Sequence, residues 1–171
     1  EAGPSESEAL ESIKAYKGAG RRQEYRGEIA GRLLYDDYGH HPREIDLTVN
    51  SFKEHFPGKR ILLVFESHTY SRTEALLGDF ARAIALADVP FIMPIFESAR
   101  EKGVAHQITP ESFTAEVAKF NPQAKVLTWE SAAELVWSAS KPGDIILTMG
   151  AGFVYKLHDQ FLKLGSLQPK V

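Results

Sequence analysis

The chain has 171 residues, 43% of them hydrophobic and 25% charged, enough to bury one sizeable core, so a single domain with a short extra segment is expected. A formal net charge of −3 and a pI near 6.1 provide no broad cationic field of the kind that holds nucleic acid or an anionic membrane. The absence of cysteine excludes a disulfide framework and a thiolate metal site.

No apolar run is long enough to span a bilayer. The start, Glu1-Ala2-Gly3-Pro4-Ser5-Glu6, has neither the basic region nor the apolar run of a signal peptide and reads as a cut end. A cytoplasmic location is the expectation.

From Pro4 to Tyr16, the pair Ser5 and Glu8 has capping-box spacing, and Ala9, Leu10 and Ile13 form an apolar stripe, so a short helix is expected before Gly18 and Gly20. Two strand-like runs follow, Glu24 to Ile29 and Arg32 to Tyr35, joined by an Ala30-Gly31 turn, which predicts a hairpin at one sheet edge.

Four continuous apolar runs come next: 61–65, 89–93, 126–129 and 145–148. Continuous runs suit strands covered on both faces, with Pro90 and Pro94 making the second either irregular or close to an edge. Helical stripes lie around them: Ile45, Val49, Phe52, Phe56; Leu76, Phe80, Ala83, Ile84; Phe113, Val117, Phe120; Ala132, Leu135, Val136, Ala139; and Val154, Leu157, Phe161. This alternation predicts an α/β fold, Rossmann-like and doubly wound, with a mainly parallel sheet of about six strands and one antiparallel edge strand.

In such a sheet, ligands sit outside the carboxyl ends of the strands. Polar clusters stand there. Asp36-Asp37-Tyr38-Gly39-His40-His41-Pro42 puts two carboxylates, a phenol and two imidazoles into a loop opening a helix, with Pro42 suited to its first position. Glu66-Ser67-His68-Thr69-Tyr70-Ser71-Arg72-Thr73 leads into another helix, and Arg72 has the fork that pairs with a carboxylate or phosphate. In Met149-Gly150-Ala151-Gly152, small residues would let a bound group approach the backbone, although the fuller dinucleotide fingerprint is absent.

Taken singly, each residue has a plainer reading. Adjacent histidines in a loop more often cap or hydrogen-bond than bind metal, and no metal site is expected. Arg72 alone suits a solvated helix start, Asp36 and Asp37 suit local caps, Trp129 suits the core, and Arg100 with Glu101 suits a surface pair. The clustering at one predicted edge favours function.

The string from Asp36 to Pro42, with Glu44-Ile45 after it, closely resembles a motif of the Mur ligases, in the branch of UDP-N-acetylmuramate:L-alanine ligases. His68-x-Tyr70-Ser71-Arg72-Thr73 and Thr148-Met149-Gly150-Ala151-Gly152 resemble two further motifs of that family in the right order, and the likeness runs from about Gly18 to the last helix. The resemblance implies a tail of the preceding central, ATP-binding domain over residues 1–20 and the family's C-terminal domain over residues 21–171.

In that family, ATP phosphorylates the sugar's carboxylate and an amine attacks the acyl phosphate, while the C-terminal domain closes over ATP and brings the amino acid. Carried over, the resemblance implies ATP contacts from Arg22, Asp37, His40 and His41, and L-alanine contacts from Tyr38, His68 and Arg72. It implies ATP and Mg2+, the latter held mainly by the central domain, UDP-N-acetylmuramate as acceptor, and the N-terminal and central domains of the same enzyme as partners. Thr69, Phe153 and Gln23 depart from the family's usual Arg, Asp and Phe. No G-x-x-x-x-G-K-[ST] loop occurs, so this chain is expected to be inactive alone. Two alternatives stay open: a murein peptide ligase domain, and a non-catalytic nucleotide or amino-acid binding module.

Overall fold

A computed structural model describes residues 20–167 together with Ser5, Ser7 and Glu11. The helix expected over Pro4 to Tyr16 and the expected domain tail fall almost wholly outside the described residues.

Six strands form one sheet: β1 (Glu24–Ile29), β2 (Arg32–Asp37), β3 (Ile61–Phe65), β4 (Val89–Ile92), β5 (Lys125–Val126) and β6 (Ile145–Met149). Their order is β1-β2-β6-β3-β4-β5. Only β1 runs antiparallel, against β2, and the other pairings are parallel. This is the expected α/β sheet with its antiparallel edge strand. Ala30 and Gly31 both take positive φ, 47° and 73°, which gives the two-residue turn a twist that matches a hairpin.

The continuous apolar runs sort by parity onto two cores. Ile61, Leu63 and Phe65 of β3 and Ile145, Leu147 and Met149 of β6 face one side, while Leu62, Val64 and Ile146 face the other. On the first side lie α1 (Pro42–His55), α3 (Leu77–Ile84) and α4 (Pro110–Ala118), through Ile45, Val49, Phe80 and Phe113. The second is covered by α5 (Ala132–Ala139) and α6 (Leu157–Ser166), through Val136, Trp137 and Phe161. Phe65, Phe80 and Phe113 are fully buried and meet ring to ring, so truncating any one to Ala costs about 3–5 kcal/mol.

Several boundaries differ from expectation. β2 continues through Asp37, because Asp36 and Asp37 pair in register with Thr148 and Met149, so both carboxylates belong to the strand and not to the loop. The stripe through Leu76 is split: α2 (Tyr70–Ala75) ends at Leu76 and α3 begins after it. β5 keeps two paired residues, opposite Phe91 and Ile92, so Pro90 stands beside an open stretch of edge. Phe120 and Leu135, assigned to apolar stripes, are exposed: Phe120 lies beyond the end of α4, and Leu135 points off α5. Among the described residues, no helix is long and apolar enough to cross a membrane.

Candidate functional site

The parallel strands β2, β6, β3 and β4 end side by side at Asp37, Met149, Phe65 and Ile92, and the polar clusters gather outside that edge. The 38–41 turn is built from its own side chains. His41 is the N-cap of α1: its imidazole accepts from Arg43 N, the Glu44 carboxylate accepts from His40 N and His41 N, and Pro42 starts the helix as expected.

Asp37 is buried. Its Oδ1 accepts from Gly39 N at 2.6 Å and its Oδ2 from Gln23 N at 2.8 Å, so the carboxylate ties the entering chain to the turn. Burial pushes its pKa up, against the pull of those two amides.

Asp36 is also buried, between Arg21 and Thr148. Arg21 escaped the sequence reading, yet it is the most connected residue at this edge. Its guanidinium donates from Nε to Asp36 Oδ2 at 2.7 Å, from Nη2 to the Gly150 carbonyl at 2.7 Å and from Nη1 to the Gly152 carbonyl at 3.3 Å. It also stands 4.5 Å from the Tyr155 ring centroid and 5.2 Å from that of Tyr38. The Arg21-Arg22 doublet was the available signal, but only the left-handed backbone at Arg21 and Gln23, φ 57° and 45°, reveals which of the two turns inward. Arg22 is half-exposed, 5.6 Å from the Tyr38 ring and 3.7 Å from Glu44 Oε1.

A row of rings crosses the strand ends. Tyr38 meets His40 at 5.4 Å, His40 meets His68 at 6.0 Å, His68 stacks on Phe96 at 4.9 Å, and Phe96 meets Phe153 at 5.7 Å. The structure therefore brings Arg22, Tyr38, His40 and His68 together, while His41 turns away to line a hollow between α1 and α3 with Arg43, Asp46, Asp79 and Arg82. Burial, then the neighbouring charges of His40 and Arg72, hold the His68 pKa down, so its imidazole is predominantly neutral at pH 7. Arg72 sits on α2, and its Nη1 is buried with no hydrogen-bond acceptor among the described residues.

The Gly150-Ala151-Gly152 segment does not stand open to a ligand. Gly150 packs against the Glu66 carbonyl, Gly152 lies against the Glu66 carboxylate, and Glu66 Oε2 accepts from Val154 N at 2.7 Å. What approaches these glycines is the chain itself. Glu66 is buried, and burial pushes its pKa up. Beyond Phe96, a cleft of about 480 Å³ is lined by Glu66, Glu97, Trp129, Phe153, Lys156 and Gln160. Glu101, expected as a surface partner of Arg100, is instead buried at 8% exposure and bonded to the start of α2.

A family model described as "Mur ligase, glutamate ligase domain" matches residues 21–152. A UDP-N-acetylmuramate--L-alanine ligase of Desulfitobacterium hafniense is 38% identical over 92% of this chain, and the match spans 35% of that protein. The chain thus covers about a third of the length of such relatives. In fold, it is similar to a UDP-N-acetylmuramate-alanine ligase of Thermotoga maritima, with a TM-score of 0.70 at 20% identity, covering 91% of this chain and 32% of that one. It is equally similar to a murein peptide ligase of Psychrobacter arcticus, with a TM-score of 0.71 at 22% identity, covering 95% and 33%. With the family's motifs at one sheet edge and its model matching residues 21–152, the chain belongs to the Mur ligase family, as its glutamate ligase domain.

Proposed function

We propose that residues 21–171 are the C-terminal domain of an ATP-dependent ligase that adds L-alanine to UDP-N-acetylmuramate in peptidoglycan synthesis, in the cytoplasm, and that residues 1–20 are the tail of its central domain. The observation that carries this reading is Arg72: a guanidinium with one buried nitrogen that has no partner among the described residues, set beside His68 at the edge where Tyr38 and His40 also gather. A buried donor left unmet costs about 1–3 kcal/mol, so the site favours an incoming carboxylate oxygen.

L-alanine then binds with its carboxylate on Arg72 and its methyl group toward Tyr38. The neutral imidazole of His68 offers a lone pair to the amino group, which must lose a proton before it can attack. ATP lies on the Arg22 side, next to His40, with Asp37 acting there by holding the Gln23 backbone beside Arg22 and His41 acting only as the cap that starts α1. When bound, ATP supplies the γ-phosphoryl group that converts the sugar's carboxylate into an acyl phosphate; the amine displaces phosphate from it to form the amide. Mg2+ is held mainly by the central domain, and the N-terminal and central domains are this domain's partners. The role left to this chain is to position the amine and exclude water, and alone it does not turn over.

A murein peptide ligase is the second reading. The 480 Å³ cleft beyond Phe96 gives it support, since it offers far more room than a methyl group needs.

The test is ADP release by the full-length ligase and by this chain, each given ATP, Mg2+, UDP-N-acetylmuramate and one candidate amino acid or peptide. Alanine-dependent release by the full-length protein only is the expected result. Peptide-dependent release would select the second reading, and no release from either would leave a binding module.

A further inference from the structure

We infer that Glu101 is a positioning residue for the amino-acid end of this site: its carboxylate pins the first turn of α2 and thereby sets where the Arg72 guanidinium stands. The inference deepens the ligase reading and rests on Arg72 as the carboxylate partner.

α2 has little to hold it in place. It is six residues long, and an isolated helix of that length is unstable in water. It has no side-chain cap of its own, it follows Thr69 at a strained φ of 77°, and the one residue it buries is Thr73. Its apolar packing is confined to its first residue, Tyr70, half-buried against the core and stacked on His106 at 4.5 Å, so hydrogen bonds do most of the orienting of the turn that carries Arg72.

Those bonds come mainly from the loop between β4 and α4. At its near end, Phe96 N donates to the Ser67 carbonyl at 2.8 Å, Thr69 N donates to the Phe96 carbonyl at 3.1 Å, and the Phe96 ring lies flat on His68. At its far end, Glu74 of α2 accepts from Gln107 N at 2.9 Å and Ile108 N at 3.1 Å. Between them, Glu101 accepts from Ser71 N at 2.9 Å, Ser71 Oγ at 2.5 Å, Tyr70 N at 3.1 Å and Ser98 Oγ at 3.4 Å. Arg72 is the next residue after Ser71, so the loop braces the turn that carries it. With its oxygens already occupied by these donors, Glu101 acts through α2 and not on a ligand.

The experiment is steady-state kinetics of the full-length ligase with Glu101→Gln and Glu101→Asp. Glu101→Gln keeps the size but turns one acceptor into a donor facing a backbone amide and a hydroxyl, so the KM for L-alanine should rise about tenfold, the loss of one charge-assisted contact, while the KM for ATP and kcat stay within about twofold. Glu101→Asp should recover part of that loss. An equal rise in both KM values, or a fall in kcat with the alanine KM unchanged, overturns the inference.

Amide hydrogen exchange on this chain supplies a second measurement. Glu101→Gln should abolish protection over residues 70–75 while β3 and β6 keep theirs; unchanged protection in α2, or uniform loss, overturns it. If the wild-type enzyme ignores alanine, the ligase reading falls, and exchange still decides whether Glu101 holds α2.

Discussion

The Thr148 hydroxyl lies 2.8 Å from His158 Nε2 inside the core. Thr148 donates its single proton to Asp36 Oδ1 at 2.6 Å, so the imidazole must be the donor at Nε2, which makes Nδ1 its unprotonated nitrogen. Nδ1 is buried without a partner among the described residues. Burial brings the His158 pKa down from 6.5 to about 4, and a neutral ring is the one that fits.

Stability should consequently depend on pH in a defined direction. The unfolded chain takes up this proton near pH 6.5 and the folded chain only near 4, so the contribution is complete above 6.5 and is lost as pH falls from there through about 4. Between about pH 7 and about pH 5 the loss amounts to roughly 2 kcal/mol. Urea unfolding at the two pH values should show it, and His158→Gln should flatten the difference; an unchanged slope in that variant would rule the ring out as its source.

Arg72→Ala in the full-length ligase should raise the KM for L-alanine by about 10–100-fold, the loss of a hydrogen bond to a charged group, with the KM for ATP nearly constant. Initial-rate kinetics with each substrate varied in turn decide it. Equal effects on both substrates would take Arg72 out of the amino-acid site.

Gly150 and Gly58 both have positive φ, 145° and 80°, but a Cβ on Gly150 would strike the Glu66 carbonyl, whereas one on Gly58 would meet nothing within 4 Å. Gly58→Ala should therefore cost about 1 kcal/mol from backbone strain alone. Gly150→Ala adds a backbone collision and should cost about 2–4 kcal/mol. Chemical denaturation of the two variants compares them directly, and equal losses would show that the loop yields to the methyl group.

Removing the Arg21 side chain leaves Asp36 buried with Thr148 as its remaining side-chain donor and frees two loop carbonyls. Arg21→Ala should destabilise this chain by about 3 kcal/mol in urea unfolding, and Arg21→Lys should restore only part, since a point charge cannot serve three acceptors in a plane. Full recovery by lysine would reduce the contact to simple charge pairing.

The sheet was legible because each of β3, β4 and β6 is a short apolar run whose alternate residues serve opposite cores, so no polar face interrupted the pattern. The hairpin was legible from its two-residue turn. The candidate site was visible only as a list of reactive side chains following strands. Sequence spacing could not say which groups the chain would spend on itself: Asp37 on two backbone amides, His41 on the start of α1, Gly152 on Glu66. Glu101 was misjudged for the same reason, because its partners lie about 30 residues upstream, across a contact that no local pattern encodes.

The left-handed backbone at Arg21 and Gln23, with the Arg21 guanidinium locked into three acceptors, gives the polypeptide a single heading as it joins the sheet. A pivot placed within residues 21–23 would tear Arg21 from Asp36 and Gln23 from Asp37 together. Residues 21–23 therefore move with the sheet as one rigid body, and Arg22 keeps its place beside Tyr38 and Glu44.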